Sequence, residues 1–371
     1  MKKVLFISNH AGFSKFNAPY MRWFKEQGWI VDNISPGIEI ADYVDNQIDA
    51  PITRNPLSLQ NIRAYKIIKN SISKNKYDII HCHTPVGGIL GRLCSIKSRK
   101  KGTSVIYTAH GFHFYKGSSL LSWVIYYVIE KILSYYTDCI VTINQEDYLI
   151  AQKQFFTKSV FKINGVGVNL ERFKPVDDEA KIALRNKYNF EHDDFIVIYV
   201  GQFTHDKNHL FLIKQIPFLK RNINNLKVLF VGGGYPLLDR KYKDIIRDGR
   251  LQDTVFFMGY RTDIQNLYAI SDILISVSKR EGMPQNLVEG MACGLPVVCS
   301  KIRGHVDIVN PSVNGFFFPL TSPSEMNERL YQLYADKTFR DSIALQNVKD
   351  AEKFSLDRSV ADMAEIYRHY M

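Results

Sequence analysis

Two glutamates, Glu281 and Glu289, stand eight positions apart in the stretch REGMPQNLVEG, Arg280–Gly290. A Gly, a Pro and two amides lie between them. A carboxylate accepts hydrogen bonds from hydroxyl groups. The N–H groups of a turn entering a helix favour an anion. Two carboxylates on either side of such a turn, Met283 to Leu287, suit a ligand with hydroxyl-bearing rings at both ends of a diphosphate. A nucleotide sugar has that layout. Surface acids flanking a helix start, with Glu289 merely complementing the helix dipole, would leave the same trace.

Three further polar clusters follow apolar runs. In YVGQFTHDKNH, Gln202 lies next to Gly201, and Lys207 stands near the start of the next helix, where an ammonium beside helix N–H groups suits a phosphate. A solvated lysine is the ordinary alternative. In LFVGGGYP, Gly232, Gly233 and Gly234 let a ligand approach the backbone or simply make a tight turn. The spacing is not G-x-G-x-x-G, so a dinucleotide fingerprint is absent. In IYTAHGFHF, His110 ends a strand before Gly111. A lone histidine is commonly structural, but a strand end is where ligands gather in open parallel sheets.

These clusters need a scaffold that brings strand ends together. KVLFIS, WIVDNI, YDIIHCH, TSVIYTAHG, DCIVTIN and SVFKINGV read as buried strands, separated by helical patterns such as FNAPYMRWFKEQG, LQNIRAYKIIKNSISKN and GGILGRLCSIKS. Alternation of this kind predicts a parallel sheet covered on both faces. The polar stretch 167–194 reads as a pause. A second series follows: FIVIYVG, LKVLFVGGG, TVFFMGY, DILISVS and PVVCS. The expectation is two α/β units, 1–170 and 171–354, facing a shared central cleft, with 355–371 as an amphipathic helix packing back toward the first unit.

The chain has 371 residues, 46% hydrophobic and 23% charged, the balance of a globular protein large enough for two cores. Its formal net charge of +11 fits an anionic partner. Five cysteines without a C-x-x-C pair read as buried free thiols in a reducing compartment. The N-terminal apolar run is too short for a signal peptide, and no run reaches the length of a membrane span. SSLLSWVIYYVIEKILSYY is apolar nearly all round its helix; a core helix is the favoured reading, and a surface entering the membrane interface the alternative. The basic residues Lys97, Arg99, Lys100 and Lys101 would suit anionic lipid or plain solvent.

E-x7-E followed by GMACGLPVV and NGFFF, preceded by VGQFTHDKNH and GYRTDIQNLYAISDILISVS, resembles the retaining glycosyltransferases of family 4. DIIHCHTPVGGILGRL, VIYTAHGFHFYKG and TDCIVTINQEDYLIAQ are similar to the branch that builds bacterial capsules, exopolysaccharides and lipid-linked glycans. The resemblance covers nearly the whole chain. It implies the GT-B fold, with an acceptor-binding first domain and a nucleotide-sugar-binding second one. It implies transfer of a hexose or N-acetylhexosamine from a UDP-sugar to an undecaprenyl-diphosphate-linked saccharide, with retention, no metal and no cofactor. Glu281 would contact donor-sugar hydroxyls and Glu289 the ribose. Lys207 and backbone groups of Gly282, Met283, Pro284, Gln285, Asn286 and Leu287 would hold the diphosphate, with Gln202 and Gly233 beside it. Gly12 would lie near the phosphates, His110 against the transferred sugar and Arg261 near the base. Many relatives carry Arg where this chain has Gln202, which removes one positive charge from the leaving group. Gly12 stands alone where relatives have a glycine pair, and GMPQN replaces their Gly-Phe-Gly-Leu-Pro turn.

The implied setting is cytoplasmic, with peripheral contact at an anionic inner membrane face. An isomerase of the UDP-N-acetylglucosamine 2-epimerase type would share the architecture and the donor but release a changed sugar without an acceptor. A nucleic-acid binder would need a basic stripe interleaved with exposed aromatics. Here the lysines are scattered, so no nucleic-acid partner is expected.

Overall fold

The computed structural model describes residues 1–234 and 236–371. The chain divides into two compact units, 1–167 with 356–371, and 168–355.

Unit 1 holds seven strands: β1 (Lys3–Ile7), β2 (Ile30–Ser35), β3 (Asn46–Asp49), β4 (Ile79–His83), β5 (Ser104–Ala109), β6 (Cys139–Thr142) and β7 (Ser159–Lys162). They pair in the order β3-β2-β1-β4-β5-β6-β7, with every pairing parallel. The central strands are buried on both faces, which is why Val4–Ile7 and Ile79–His83 carry few exposed positions. β3 escaped the sequence reading because NQID is a polar edge strand with no apolar run. The C-terminal helix Leu356–Arg368 belongs to this unit and lies against the helix Phe13–Glu26. Tyr20 and Ser359 join their hydroxyls at 2.7 Å across that contact.

Unit 2 holds six strands: β8 (Phe195–Val200), β9 (Leu226–Val231), β10 (Val255–Gly259), β11 (Ile273–Ser276), β12 (Val297–Ser300) and β13 (Gly315–Phe318). Their order is β10-β9-β8-β11-β12-β13, again all parallel. β13, GFFF, is an edge strand and was read only as a motif. Strand order reverses between β1 and β4 in unit 1 and between β8 and β11 in unit 2. Chains leave such a pair of strands in opposite directions, which opens a crevice at their carboxyl ends. The loops carrying Gly12, Lys207 and Glu281 follow β1, β8 and β11.

Two expectations need correction. The polar stretch 167–194 is not a bare pause, since it contains the helix Asp178–Lys187. Asp177 caps this helix by accepting the Ala180 N–H at 2.8 Å. Arg185 on its buried face donates to the Ile270, His192 and Asp194 carbonyls and to the Asp272 carboxylate, which docks the helix on unit 2. The second correction concerns 118–136, which is not a core helix. Leu120, Leu121, Val124, Ile125, Val128, Ile132 and Tyr135 are exposed. The inward face is mixed: Leu133 and Ser134 are buried, Trp123, Tyr126 and Tyr127 pack against the core, and Glu130 pairs with the fully buried Arg92 at 2.8 Å. The middle of the stretch, Trp123–Tyr127, winds as π-helix, a local widening that shifts which residues face the core.

Candidate functional site

The loop after β8, Gly201–Asn208, and the loop after β11, Val277–Pro284, meet through Lys207 and Glu281, whose Nζ and Oε1 lie 2.5 Å apart. Both side chains are mostly withdrawn from water, at 23% and 12% exposure. Burial alone would push the Glu281 carboxyl up. The adjacent Lys207 ammonium, the nearby His305 ring and a hydrogen bond from Ser278 hold it below the usual carboxylate range. The result is an ionised pair at the switch point of unit 2. Lys207 therefore spends its charge on Glu281 rather than on a helix end. The helix that follows it, His209–Ile213, is only five residues long and is entered through a left-handed Asn208.

A buried polar layer supports this pair. The Tyr199 hydroxyl donates to the Lys207 carbonyl and meets the Ser278 hydroxyl at 3.2 Å. Ser300 Oγ donates to the Ser278 carbonyl at 2.6 Å. His305 is fully buried, with Nδ1 2.7 Å from the Ser300 carbonyl and Nε2 3.2 Å from Ser276 Oγ. Burial pushes its pKa down to about 4, so the ring is neutral. Arg303 Nε donates to the Glu281 carbonyl at 3.2 Å. Gly304 has φ +83°, and a Cβ there would stand 2.7 Å from the Gly282 carbonyl oxygen. Only glycine lets that backbone brace the Glu281–Gly282 segment.

The turn beyond Glu281 is narrower as an anion site than its sequence suggested. Pro284 has no N–H, and the Leu287 N–H donates to the Pro284 carbonyl at 3.1 Å. The Leu287 side chain is buried in the unit 2 core. Leu287 and Pro284 therefore drop out as donors to a ligand. Asn286 also ties the helix Gln285–Ala292 to β8, its Nδ2 donating to the Val200 carbonyl at 2.8 Å. Glu289 lies one turn into that helix and accepts from the Tyr268 hydroxyl at 3.2 Å. Burial raises its carboxyl to about 7, against that hydrogen bond and the opposing charge of Arg172.

Of the three glycines after β9, Gly232 and Gly234 serve packing. A Cβ on Gly232, whose φ is +147°, would fall 2.2 Å from the Gly201 carbonyl oxygen, and one on Gly234 would fall 2.4 Å from Phe203 Cβ. Gly233 alone has open space around its Cβ position, with nothing nearer than 3.9 Å. Gln202 is exposed, and the next residue, Phe203, donates its N–H to the Gly233 carbonyl at 3.0 Å, which sets the loops after β8 and β9 side by side. Arg261 is held bidentately by Asp263 at 2.8 and 2.6 Å, so its charge is balanced within its own loop.

In unit 1, His110 follows β5 and lies edge-on to Phe13 at 4.7 Å. Its Nε2 is 3.2 Å from Nδ1 of His83, at the end of the neighbouring β4. Gly12 has an ordinary helical φ of −62°, and an added Cβ would meet only the movable His10 ring. Its backbone geometry therefore does not require glycine. Sequence reasoning missed His83, His305, Arg303 and Arg172. His305 and Arg303 follow the short strand PVVCS, and the bare rule that sheets bind at carboxyl ends would have pointed to them.

Comparison with known proteins agrees with this architecture. The family model "Glycosyl transferases group 1" matches residues 180–350, and "Glycosyl transferase 4-like" matches 3–144. The chain is 39% identical over 372 residues to the putative glycosyltransferase EpsD of Bacillus subtilis (strain 168), covering 100% of this chain and 97% of that protein. It is 28% identical to the UDP-Gal:alpha-D-GlcNAc-diphosphoundecaprenol alpha-1,3-galactosyltransferase of Escherichia coli, over 88% of this chain and 86% of that one. The crystal structure of Anabaena HepE in complex with UDP-glucose superimposes with a TM-score of 0.81 at 18% identity, covering 100% of both chains. Its fold is that of the GT-B glycosyltransferases. With both halves matched and a full-length relative at this identity, the chain belongs to the group 1 glycosyltransferases, among the bacterial enzymes of polysaccharide biosynthesis.

Proposed function

We propose that this chain moves a hexose or N-acetylhexosamine from a UDP-sugar to a lipid-diphosphate-linked saccharide, with retention and without a metal ion. The carrying observation is the Lys207–Glu281 pair at the unit 2 switch point. An ammonium and a carboxylate held together in this way are a matched set for a glycosyl diphosphate. On binding, Lys207 turns to the diphosphate and Glu281 accepts hydroxyls of the donor sugar. As the glycosidic bond breaks, negative charge gathers on the leaving diphosphate. Lys207 and the N–H groups of Gly282, Met283, Gln285 and Asn286 are then aimed at it, and such preorganised donors are the main device for lowering this kind of barrier. Charge neutralised in this way needs no metal. Glu289 takes the ribose hydroxyls. Gln202, Gly233 and Arg261 line the nucleotide end; in unit 1, taken by itself, Gly12 and His110 follow the ends of β1 and β5, where ligands gather in a parallel sheet. HepE, solved with UDP and with UDP-glucose, supports UDP as the carrier.

The acceptor reading rests on the exposed stripe at 120–135. An isolated row of Leu, Val, Ile and Tyr on a helix has an apolar interface as its natural solvent. Lys97, Lys100 and Lys101 are exposed on the same unit and favour anionic headgroups, whereas Arg99 is engaged by Asp138 at 3.0 Å. No helix among the described residues is long and apolar enough to cross a membrane. A peripheral enzyme reaching a lipid-linked sugar fits both facts. The relative named as acting on GlcNAc-diphosphoundecaprenol supports that acceptor class.

The test is a panel of UDP-glucose, UDP-galactose and UDP-N-acetylglucosamine with an undecaprenyl-diphosphate-linked saccharide, in EDTA. Products are read by mass and the anomeric centre by NMR. One donor should be consumed, with the new linkage keeping the donor's configuration. A product of inverted configuration, dependence on added divalent cation, or no donor consumed with any lipid acceptor would each defeat the corresponding part.

A further inference from the structure

Three histidine rings meet where β4 and β5 end. His81 is fully buried and fully partnered, with Nδ1 2.8 Å from the Tyr367 hydroxyl and Nε2 2.8 Å from the Thr108 hydroxyl. His83 lies against it, with ring centroids 4.0 Å apart, and is 1% exposed. Its Nδ1 faces His110 Nε2 at 3.2 Å, while its own Nε2 is buried with no hydrogen-bond partner among the described residues. Aromatic rings surround it: Phe6 stacks parallel at 6.0 Å, and Phe13 is tilted at 5.5 Å.

All three imidazoles are neutral. Burial takes His81 down to about 3 and His110 to about 4, and holds His83 well below the ordinary value, helped by its two neighbours. A neutral imidazole carries one N–H and one lone pair. One ring of the His83–His110 contact must therefore donate and the other accept. If His110 donated, the single proton of His83 would sit on Nε2, as a buried N–H with no acceptor. If His83 donates from Nδ1, the bare atom is a lone pair. On protein backbones a buried N–H is left without a partner less often than a buried acceptor is, and the same preference carried to the ring selects the second arrangement. The His110 proton then lies on Nδ1, the nitrogen without a protein partner among the described residues, on a residue that is half-buried.

The backbone next to His83 is held in a way that suits this task. Thr84 has φ 64° and ψ 155°, a region that glycine uses and a β-branched residue rarely enters. Three hydrogen bonds keep it there. The Asn9 N–H donates to its Oγ1 at 3.1 Å, its Oγ1 donates to the His83 carbonyl, and the Gly88 N–H donates to its own carbonyl at 2.7 Å. Strain of this kind persists only where the surroundings over-determine it, and it collects at sites that need a fixed geometry. Here it fixes the residue before it, on the switch-point strand of unit 1.

We infer that His83 is a positioning residue: its Nδ1–H locks His110 as the Nδ1–H tautomer, so His110 offers a hydrogen-bond donor, not a proton acceptor, to a sugar oxygen. That the oxygen belongs to a sugar rests on the proposed glycosyl transfer; the tautomer does not.

The full chain labelled with 15N-histidine tests this through two-bond proton–nitrogen correlations, with His110 assigned by its loss in His110→Asn. Wild type should show His110 protonated on Nδ1. His83→Phe removes the donor and should move His110 to the Nε2–H form. His83→Asn places an amide N–H where Nδ1–H stood and should restore the Nδ1–H form. With UDP-glucose, UDP-galactose and UDP-N-acetylglucosamine as donors, His83→Phe should lower kcat about tenfold with KM little changed, the size of one hydrogen bond lost from the transition state, and His83→Asn should recover most of it. A wild-type His110 protonated on Nε2, or an unchanged tautomer in His83→Phe, overturns the inference. If wild type turns over none of the three donors, the transfer reading fails while the ring resonances still decide the tautomer.

Discussion

At the scale of single residues the site is a set of charges arranged to be re-partnered. Lys207→Ala and Glu281→Ala should each cut turnover by about 10²–10³, the range for losing a preorganised transition-state contact. Glu281→Gln should keep the fold, since it removes the charge but retains the hydrogen-bonding shape. Circular dichroism and a melting curve check the fold, and activity at the wild-type level in both alanine variants removes the pair from the site. Glu289 offers a pH test. Its carboxyl, raised to about 7 by burial with Tyr268 and Arg172 opposing, is half protonated near neutrality. A ligand whose hydroxyls donate to it favours the ionised form, so below pH 7 binding must expel a proton. Affinity for UDP-glucose, whose diphosphate does not titrate in this range, should rise through pH 6 to 7 and level off above. Calorimetry should find that rise absent in Glu289→Gln; the same slope in both would place the titration elsewhere.

At the scale of elements, the stretch 120–134 is pinned from beneath and bare above. The pin is Glu130 on Arg92, whose guanidinium also lies 3.9 Å over the Tyr107 ring and donates to the Gly88 carbonyl at 2.9 Å. Removing one member of a buried pair leaves the other uncompensated, so Glu130→Ala should cost about 3–5 kcal/mol in denaturant unfolding. Replacing Arg92 and Glu130 together by Met and Leu should cost far less. The bare face predicts membrane behaviour. Leu121, Val124 and Val128 changed together to Ser should leave the melting temperature within a few degrees and weaken sedimentation with vesicles rich in anionic lipid. Equal sedimentation would assign the stripe to another partner. Periodicity could not distinguish core from interface here, because both solvents ask for the same apolar helix.

At the scale of the whole molecule, each unit carries its own core, and all five cysteines are buried as free thiols. Burial pushes thiols such as Cys82, Cys94 and Cys293 up to about 12, so they are poor nucleophiles in the native state. An aromatic disulfide reagent should titrate no thiol rapidly in the native chain and five after denaturation. Rapid reaction of a native thiol would mean that a core opens readily.

The inner strands were legible in the sequence, because a parallel strand buried on both faces must be a continuous apolar run, whereas the edge strands β3 and β13 were not. Lys207 and Glu281 were legible as well, because the polar residues that follow such runs fall at strand ends. What only the tertiary structure decided is partnership. Lys207 and Glu281 are 74 positions apart and meet because β8 and β11 are neighbours. His83 and His110 meet because β4 and β5 are. The Leu287 N–H was lost to a carbonyl three residues back. Local pattern sets which face of an element is wet or dry. Strand order sets which charges share a site, and strand order comes from the packing of the whole sheet.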